Sequence, residues 1–151
     1  MNVYDNLKQL GIELPPVSPP AAAYVPYVIT GKLVYLSGHI ARKDGKPYVG
    51  RLGHNLTTVD GQVAARSVAV DLLGTLQAAV GDLNRITRII KLMSLVCSTP
   101  DYTEQHLVTN GASAFIGQVF GERGQHARSA FGVVQIPLGA CVEIEMIAEI
   151  A

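Results

Sequence analysis

The run RITRIIKLMSLVCS, residues 85–98, sets apolar residues side by side at Ile89-Ile90, Leu92-Met93 and Leu95-Val96 instead of alternating them with polar ones. A strand wetted on one face alternates, so this segment reads as a central strand buried on both sides. Two conditions follow from that reading. Other strands must flank it on each edge, and something must cover each of its faces.

The flanking segments supply strands and one cover. KLVYLSG (32–38) has the β-branched and aromatic content of a strand, ended by Gly38. Two further strands are expected near 128–136 and 140–149, folded into a hairpin about PLG (137–139). Asp60 is placed to cap a helix over about 61–80, where Ala65, Val68, Ala69, Leu72, Leu76 and Ala79 recur at helical spacing, Arg66 and Gln77 fall opposite, and Gly81 stops the chain. Thr99 as N-cap, Pro100 in the first helical position and Asp101 in the first turn announce a second helix. Its stripe is Val108, Ala112, Phe115 and Val119, it ends near Gly121, and TNG (109–111) is a weak point within it. Between the first strand and the first helix, IARKDGKPYVGRLGHNLTTVD carries an Asp44-Gly45 turn signal and reads as a binding loop or a short hairpin. Five prolines in residues 11–26 make that stretch an irregular, extended lead-in, and residues 1–23 are expected to hold no regular element. The order strand, helix, strand, helix, hairpin gives an α+β fold, one domain over residues 1–151. Both helices pack on one face of a mixed sheet of four to six strands. The other face has no cover from its own chain.

Composition sharpens that last point. The chain is 48% apolar and 16% charged, which leaves apolar surface for a subunit interface to cover, so self-association is expected. Twelve basic residues balance twelve acidic ones with no run of four like charges, which argues against a nucleic-acid or anionic-membrane partner. No eighteen apolar residues run together and the N-terminus has no apolar signal core, so a cytoplasmic location is expected. Cys97 and Cys141 sit in apolar strand-like segments and read as reduced core residues.

Familiar chemical motifs are missing. There is no Gly-rich phosphate loop or nucleophile elbow, and His39, His54, His106 and His126 lack metal-ligand spacing, so neither metal nor nucleotide cofactor is expected. Arg128 stands out, because a permanent charge at the mouth of a strand must be solvated, paired with an acid, or aimed at a ligand such as a carboxylate. Glu143 shares a strand face with Glu145 and Glu149, as a solvated edge or as a general acid or base. In the expected hairpin Glu143 lies opposite Val133, five residues and roughly 16 Å from Arg128. One small molecule cannot reach both within one chain, so a site using both must lie between subunits.

The segment ARSAFGVVQIPLGACVEIEMIAEI resembles the C-terminal signature of the RidA (YjgF-type) family: A-R-S, an apolar strand, a Leu-Pro-containing turn and V-E-I-E. AYVPYVITGKLVYLSGHI resembles that family's N-terminal segment, with Tyr24 thirteen residues before Ser37 and Gly38, and VTNGASAF places Asn110 where members carry an asparagine. The similarity runs from about residue 20 to the end, in a longer and less characterised subgroup. It implies a chorismate-mutase-like homotrimer with clefts between subunits and cofactor-free hydrolysis of enamine or imine intermediates of amino-acid metabolism. Arg128 would hold the substrate carboxylate, Glu143 would work with a water, and Tyr24, Ser37, the Gly38 backbone and Asn110 would shape the cleft. Members with deaminase activity usually carry cysteine where this chain has Ala130 and proline where it has His126. The missing thiol supports an alternative, a non-catalytic trimer binding small carboxylates such as 2-oxo acids. An endoribonuclease, the label of some relatives, fits the neutral charge balance least.

Overall fold

A computed structural model describes residues 2–17 and 22–151. Its elements are α1 (Val3–Gln9), β1 (Tyr27–Thr30), β2 (Leu33–Ile40), β3 (Arg42–Lys43), β4 (Lys46–Pro47), α2 (Thr58–Val80), β5 (Ile86–Cys97), α3 (Gln105–Phe120), β6 (Ala127–Val133) and β7 (Val142–Ile150). Five strands form one mixed sheet in the order β1-β2-β7-β5-β6, and β3 with β4 makes a small separate hairpin about Asp44-Gly45. β5 is interior, as its apolar pairs require. The expected β6–β7 hairpin does not form. β6 runs parallel to β5 at the sheet edge through the α3 crossover, whereas β7 enters on the other side of β5, antiparallel to both β5 and β2. The reason lies in β7, whose alternate residues Val142, Ile144, Met146, Ala148 and Ile150 are all buried. That row needs the sheet's middle, where the helices can cover it.

α2 and α3 cover that face. Their packing seam is set by Gly111, where a Cβ would run into the backbone carbonyl of Gln62, so a segment that looks weak for a helix is where α3 can approach α2 most closely. Val108, Ala112, Phe115 and Val119 are buried, as the stripe predicts. α2 starts earlier than expected: Thr57 is the N-cap, and Asp60 sits at the third helical position, accepting from the Thr57 backbone at 2.8 Å in a capping box. α3 starts later, at Gln105. Thr99 is committed elsewhere, since its N–H bonds Leu52 and its carbonyl closes a turn to Tyr102.

The expectation of no regular element in residues 1–23 is also corrected. α1 is short, capped by the Asn2 side chain on the Tyr4 N–H at 2.8 Å, and fixed by tertiary contacts: Val3 and Leu7 are buried and Asn6 donates to the Val119 carbonyl. Seven residues carry too little periodicity to be read from sequence, and such a helix forms only by docking. β1 likewise falls just after the proline-rich lead-in, of which residues 18–21 lie outside the described residues. Pro15 of the lead-in rests on α2 where Gly74 leaves room for it.

The opposite face of the sheet is different. Tyr35 and Phe131 are exposed on it, and Lys91, Met93 and Leu95 of β5 are only half-buried. The expectation that β5 is buried on both sides is therefore met on the helix side alone. Among the described residues, no helix covers that face, and only its end at Leu95 and Cys97 is packed, against Ile136 and Ala140.

The helix seam gives a paired prediction. Gly111→Ala should destabilise by about 3 kcal/mol through overpacking against α2. Gly117→Ala, where a Cβ meets nothing within 4 Å, should stabilise by about 1 kcal/mol through helix propensity alone. Urea midpoints for the two variants are the check, and equal shifts would contradict the seam.

Candidate functional site

The sheet register decides which residues can meet. Leu36, Met146, Leu92 and Arg128 are successive cross-strand partners, and so are Ile40, Glu143, Leu95 and Phe131. The first row belongs to the helix-covered face, because Leu36, Met146 and Leu92 are buried there. The second belongs to the bare face. Arg128 and Glu143 are thus two strands and three residues apart, about 14 Å between backbones, and they point to opposite sides. The hairpin geometry expected from sequence is wrong, yet the separation it implied is present and is greater in kind.

Around Arg128, α3 offers a polar stripe at helical spacing: His106, Asn110, Ser113 and Gly117. The Arg128 guanidinium donates through Nη2 to the His106 carbonyl at 2.9 Å and to Asn110 Oδ1 at 2.9 Å, and through Nη1 to Ser113 Oγ at 3.1 Å. All three partners are neutral. Two of its five N–H groups, on Nε and Nη1, have no acceptor among the described residues. Burial lowers its pKa without a compensating acid, although the group stays charged. His126, at the start of the strand, bonds Ser113 Oγ through Nε2 at 2.8 Å and the Gly124 carbonyl through Nδ1 at 2.6 Å. Asn110, Ser113, Gly117, Gly124, His126 and Arg128 line a cleft of about 320 Å³. Ala130 lies on the same face further along β6, over the Ser94–Thr109 hydroxyl pair, and lines neither this cleft nor the next.

Glu143 belongs to a separate cavity of about 380 Å³ that also takes in Tyr24, Ser37, Gly38, His39, Asp71 and Thr75. Gly38 sits in a register shift between Leu36 and His39, so it does not end β2 but bulges it, and a side chain there would occupy the place of the Glu143 carboxylate. The bulge is held from both sides. His39 bonds the Ser37 carbonyl through Nδ1 at 2.7 Å and the buried Thr75 hydroxyl through Nε2 at 2.7 Å. Ser37 Oγ donates to the Val25 carbonyl at 2.6 Å and Ser37 N to Pro26 O at 2.9 Å, which straps the lead-in along β2 and sets Tyr24, itself exposed, at the cavity mouth. Ser37 thus acts on the chain's own backbone. Burial, and then the like charge of Glu145, push the Glu143 carboxyl above the usual carboxylate range. Burial also raises Asp71 on α2, against the pull of His39 and Arg42. A carboxyl whose pKa is raised by its surroundings is suited to exchange a proton with a ligand.

The eight residues singled out by sequence fall into two groups and one outlier. Tyr24, Ser37, Gly38 and Glu143 share one cavity, Asn110, His126 and Arg128 the other, and Ala130 neither. Sequence reading missed Ser113, His39, Thr75 and Asp71. Two signals were available: Ser113 follows His106 and Asn110 at helical spacing, and Asp71 is the one acid in α2 beyond its first turn, a turn before Thr75. Among the described residues, no three His, Cys, Asp or Glu side chains are gathered to hold a metal ion.

Comparison with known proteins places this geometry. Residues 5–150 match the family described as "YjgF/chorismate mutase-like, putative endoribonuclease". The chain is 47% identical over 147 residues to the Trypanosoma cruzi protein TCP17, covering 96% of this chain and 92% of that one. It is similar to a crystal structure of a protein of unknown function from Agrobacterium tumefaciens, at 43% identity and a TM-score of 0.89 over 98% of this chain and 91% of that one. It is also similar to a "putative endoribonuclease" from Shewanella oneidensis, at 30% identity and a TM-score of 0.95 over 99% and 100%.

The raised Glu143 carboxyl yields a prediction. Glu145→Gln removes the like charge beside it, so the Glu143 titration, followed by its carboxyl carbon-13 shift, should move down toward the ordinary carboxylate range. No movement would leave burial as the whole cause.

Proposed function

Because the chain belongs to the YjgF/chorismate-mutase-like family, with the mixed sheet and helix-covered face that the RidA-type resemblance implies, we propose that it is a cofactor-free imine hydrolase assembled as a homotrimer. The observation that carries this reading is the division of its candidate residues between two separate cavities, with Arg128 and Glu143 on opposite faces of one sheet. The Glu143 cavity is also lined by Asp71 and Arg42, whereas the Arg128 cleft is lined by no acid. The Arg128 cleft has a cation with unengaged donors and no acid, and the Glu143 cavity has an acid with a raised pKa.

In the proposed assembly, edge strand β6 of one subunit lies against the bare face of the next, which brings one chain's fork to its neighbour's carboxyl and covers the apolar side of β5. A 2-imino acid enters with its carboxylate on the Nε and Nη1 donors of Arg128, in hydrogen bonds of about 1.5–3 kcal/mol each. Water adds to the C=N carbon, and the nitrogen takes up a proton. Glu143 takes that proton from the attacking water and passes it to the nitrogen, giving a carbinolamine. It then takes the carbinolamine hydroxyl proton and delivers it to the amine as the C=O forms and the C–N bond breaks, and a 2-oxo acid and ammonia leave. No metal or cofactor is required by this balance. Ala130 favours a second reading, in which the same trimer binds 2-oxo acids without turnover, since no thiol stands at that position.

The test follows ammonia release from 2-aminoacrylate generated in situ by a dehydratase. Arg128→Ala should lower kcat/KM about 100-fold or more, and Glu143→Gln should lower kcat by about 10² to 10⁴. Equal rates for wild type and Arg128→Ala would overturn the proposal. Pyruvate binding without any ammonia release would select the second reading.

A further inference from the structure

The contacts behind Arg128 form a chain of defined polarity. The Gly124 carbonyl can only accept, so His126 Nδ1 carries a hydrogen whatever the charge of the ring, and Nε2 is the atom that titrates. With the ring neutral, Nε2 accepts from the Ser113 hydroxyl, and Ser113 Oγ in turn accepts from Arg128 Nη1. The hydroxyl hydrogen is then committed to the His126 ring. With the ring protonated, Nε2–H must donate to Ser113 Oγ. The oxygen now accepts from two cations, and its own hydrogen turns out of the relay toward the space lined by Asn110 and Arg128.

From this geometry we infer that His126 and Ser113 form a proton-linked third arm of the anion site: protonation of His126 turns the Ser113 hydroxyl into a donor to the bound carboxylate and adds a positive charge behind the fork. The inference rests on the reading that a carboxylate binds Arg128, and deepens it. Binding and protonation are reciprocal, so the anion raises the affinity of His126 for its proton by the same factor by which the proton raises the affinity for the anion. The charged and titratable groups on the elements around His126 are Arg128 on β6, Arg88 and Lys91 on β5, Glu122 and Arg123 in the turn after α3, and His106 on α3. Arg88 is held by the Gln125 carbonyl, Arg123 by the carbonyls of Asn84 and Ile86, and His106 faces Arg128 through its backbone. Burial and then the Arg128 charge hold the free His126 below its ordinary value, which favours the neutral ring when no ligand is bound. An anion opposes the second of these causes directly. Affinity should therefore rise as pH falls from neutral through the His126 titration, and stay flat above it.

The experiment is calorimetry of pyruvate binding to the full chain between pH 5.5 and pH 8, in two buffers of different ionisation enthalpy. Pyruvate itself does not titrate in that range. We expect Kd to fall about tenfold toward pH 5.5 with net proton uptake, His126→Gln to bind with a flat pH profile, and Ser113→Ala to keep only part of the dependence. Proton–nitrogen spectra of the wild-type histidine rings supply a readout that needs no variant: saturating pyruvate should raise the His126 pKa and leave His54 unmoved. Binding that is independent of pH, or linked to pH equally in His126→Gln, overturns the relay while leaving the carboxylate site standing. An undiminished dependence in Ser113→Ala overturns the role of the hydroxyl. Absence of pyruvate binding at every pH overturns both the relay and the reading beneath it.

Discussion

Side chains on neighbouring strands share a face only if their residues are in register, and this constraint orders everything else in the molecule. Arg128 shares a row with Leu92 and Met146, whereas Glu143 shares one with Leu95, an odd number of residues away. No rotamer change brings the two together, because the pleat sends them to opposite faces. The burial of the β7 row under α2 and α3 fixes that register: a slip of one residue would place Val142, Ile144, Met146 and Ala148 in water and three glutamates in the core. Core packing and site geometry are thus one fact seen from two sides.

The two half-sites differ in how they are held. The Arg128 fork is positioned by one helix, whose polar stripe takes up three of its donors, so the cation is oriented before any ligand arrives. The Glu143 cavity is assembled from distant pieces: a bulge in β2, a histidine and threonine that brace it, and a lead-in strapped on by Ser37. Gly38 is the hinge between fold and function there, since the absence of a side chain is what lets the carboxylate lie against β2. The partly apolar sheet face that α2 and α3 leave uncovered is the surface on which the proposed subunit contact rests.

Much of this was legible in the sequence, for physical reasons that can be named. The unalternating run of β5 marked a central strand, the stripe of α3 marked its buried side, and Asp44-Gly45 marked the β3–β4 turn. What was not legible depended on tertiary competition. A short turn such as PLG suggests a hairpin, but β7 gains more burial in the middle of the sheet than beside β6, and Thr99 loses its capping role to a backbone contact with Leu52. The site residues were found where a charge interrupted an apolar strand. They were missed where a polar side chain on a helix, such as Ser113 or Asp71, becomes significant only through what another element brings to it.

The central claim is that one chain's Arg128 works with another chain's Glu143, and subunit complementation tests it most directly. Arg128→Ala and Glu143→Gln, each inactive alone, are unfolded together, refolded as a mixture and assayed for imine hydrolysis. In a closed ring, random mixing places an intact arginine beside an intact glutamate at about a quarter of the interfaces, so the account predicts recovery of about a quarter of wild-type activity. A mixture as inactive as its components, from material that has demonstrably exchanged subunits, would contradict it.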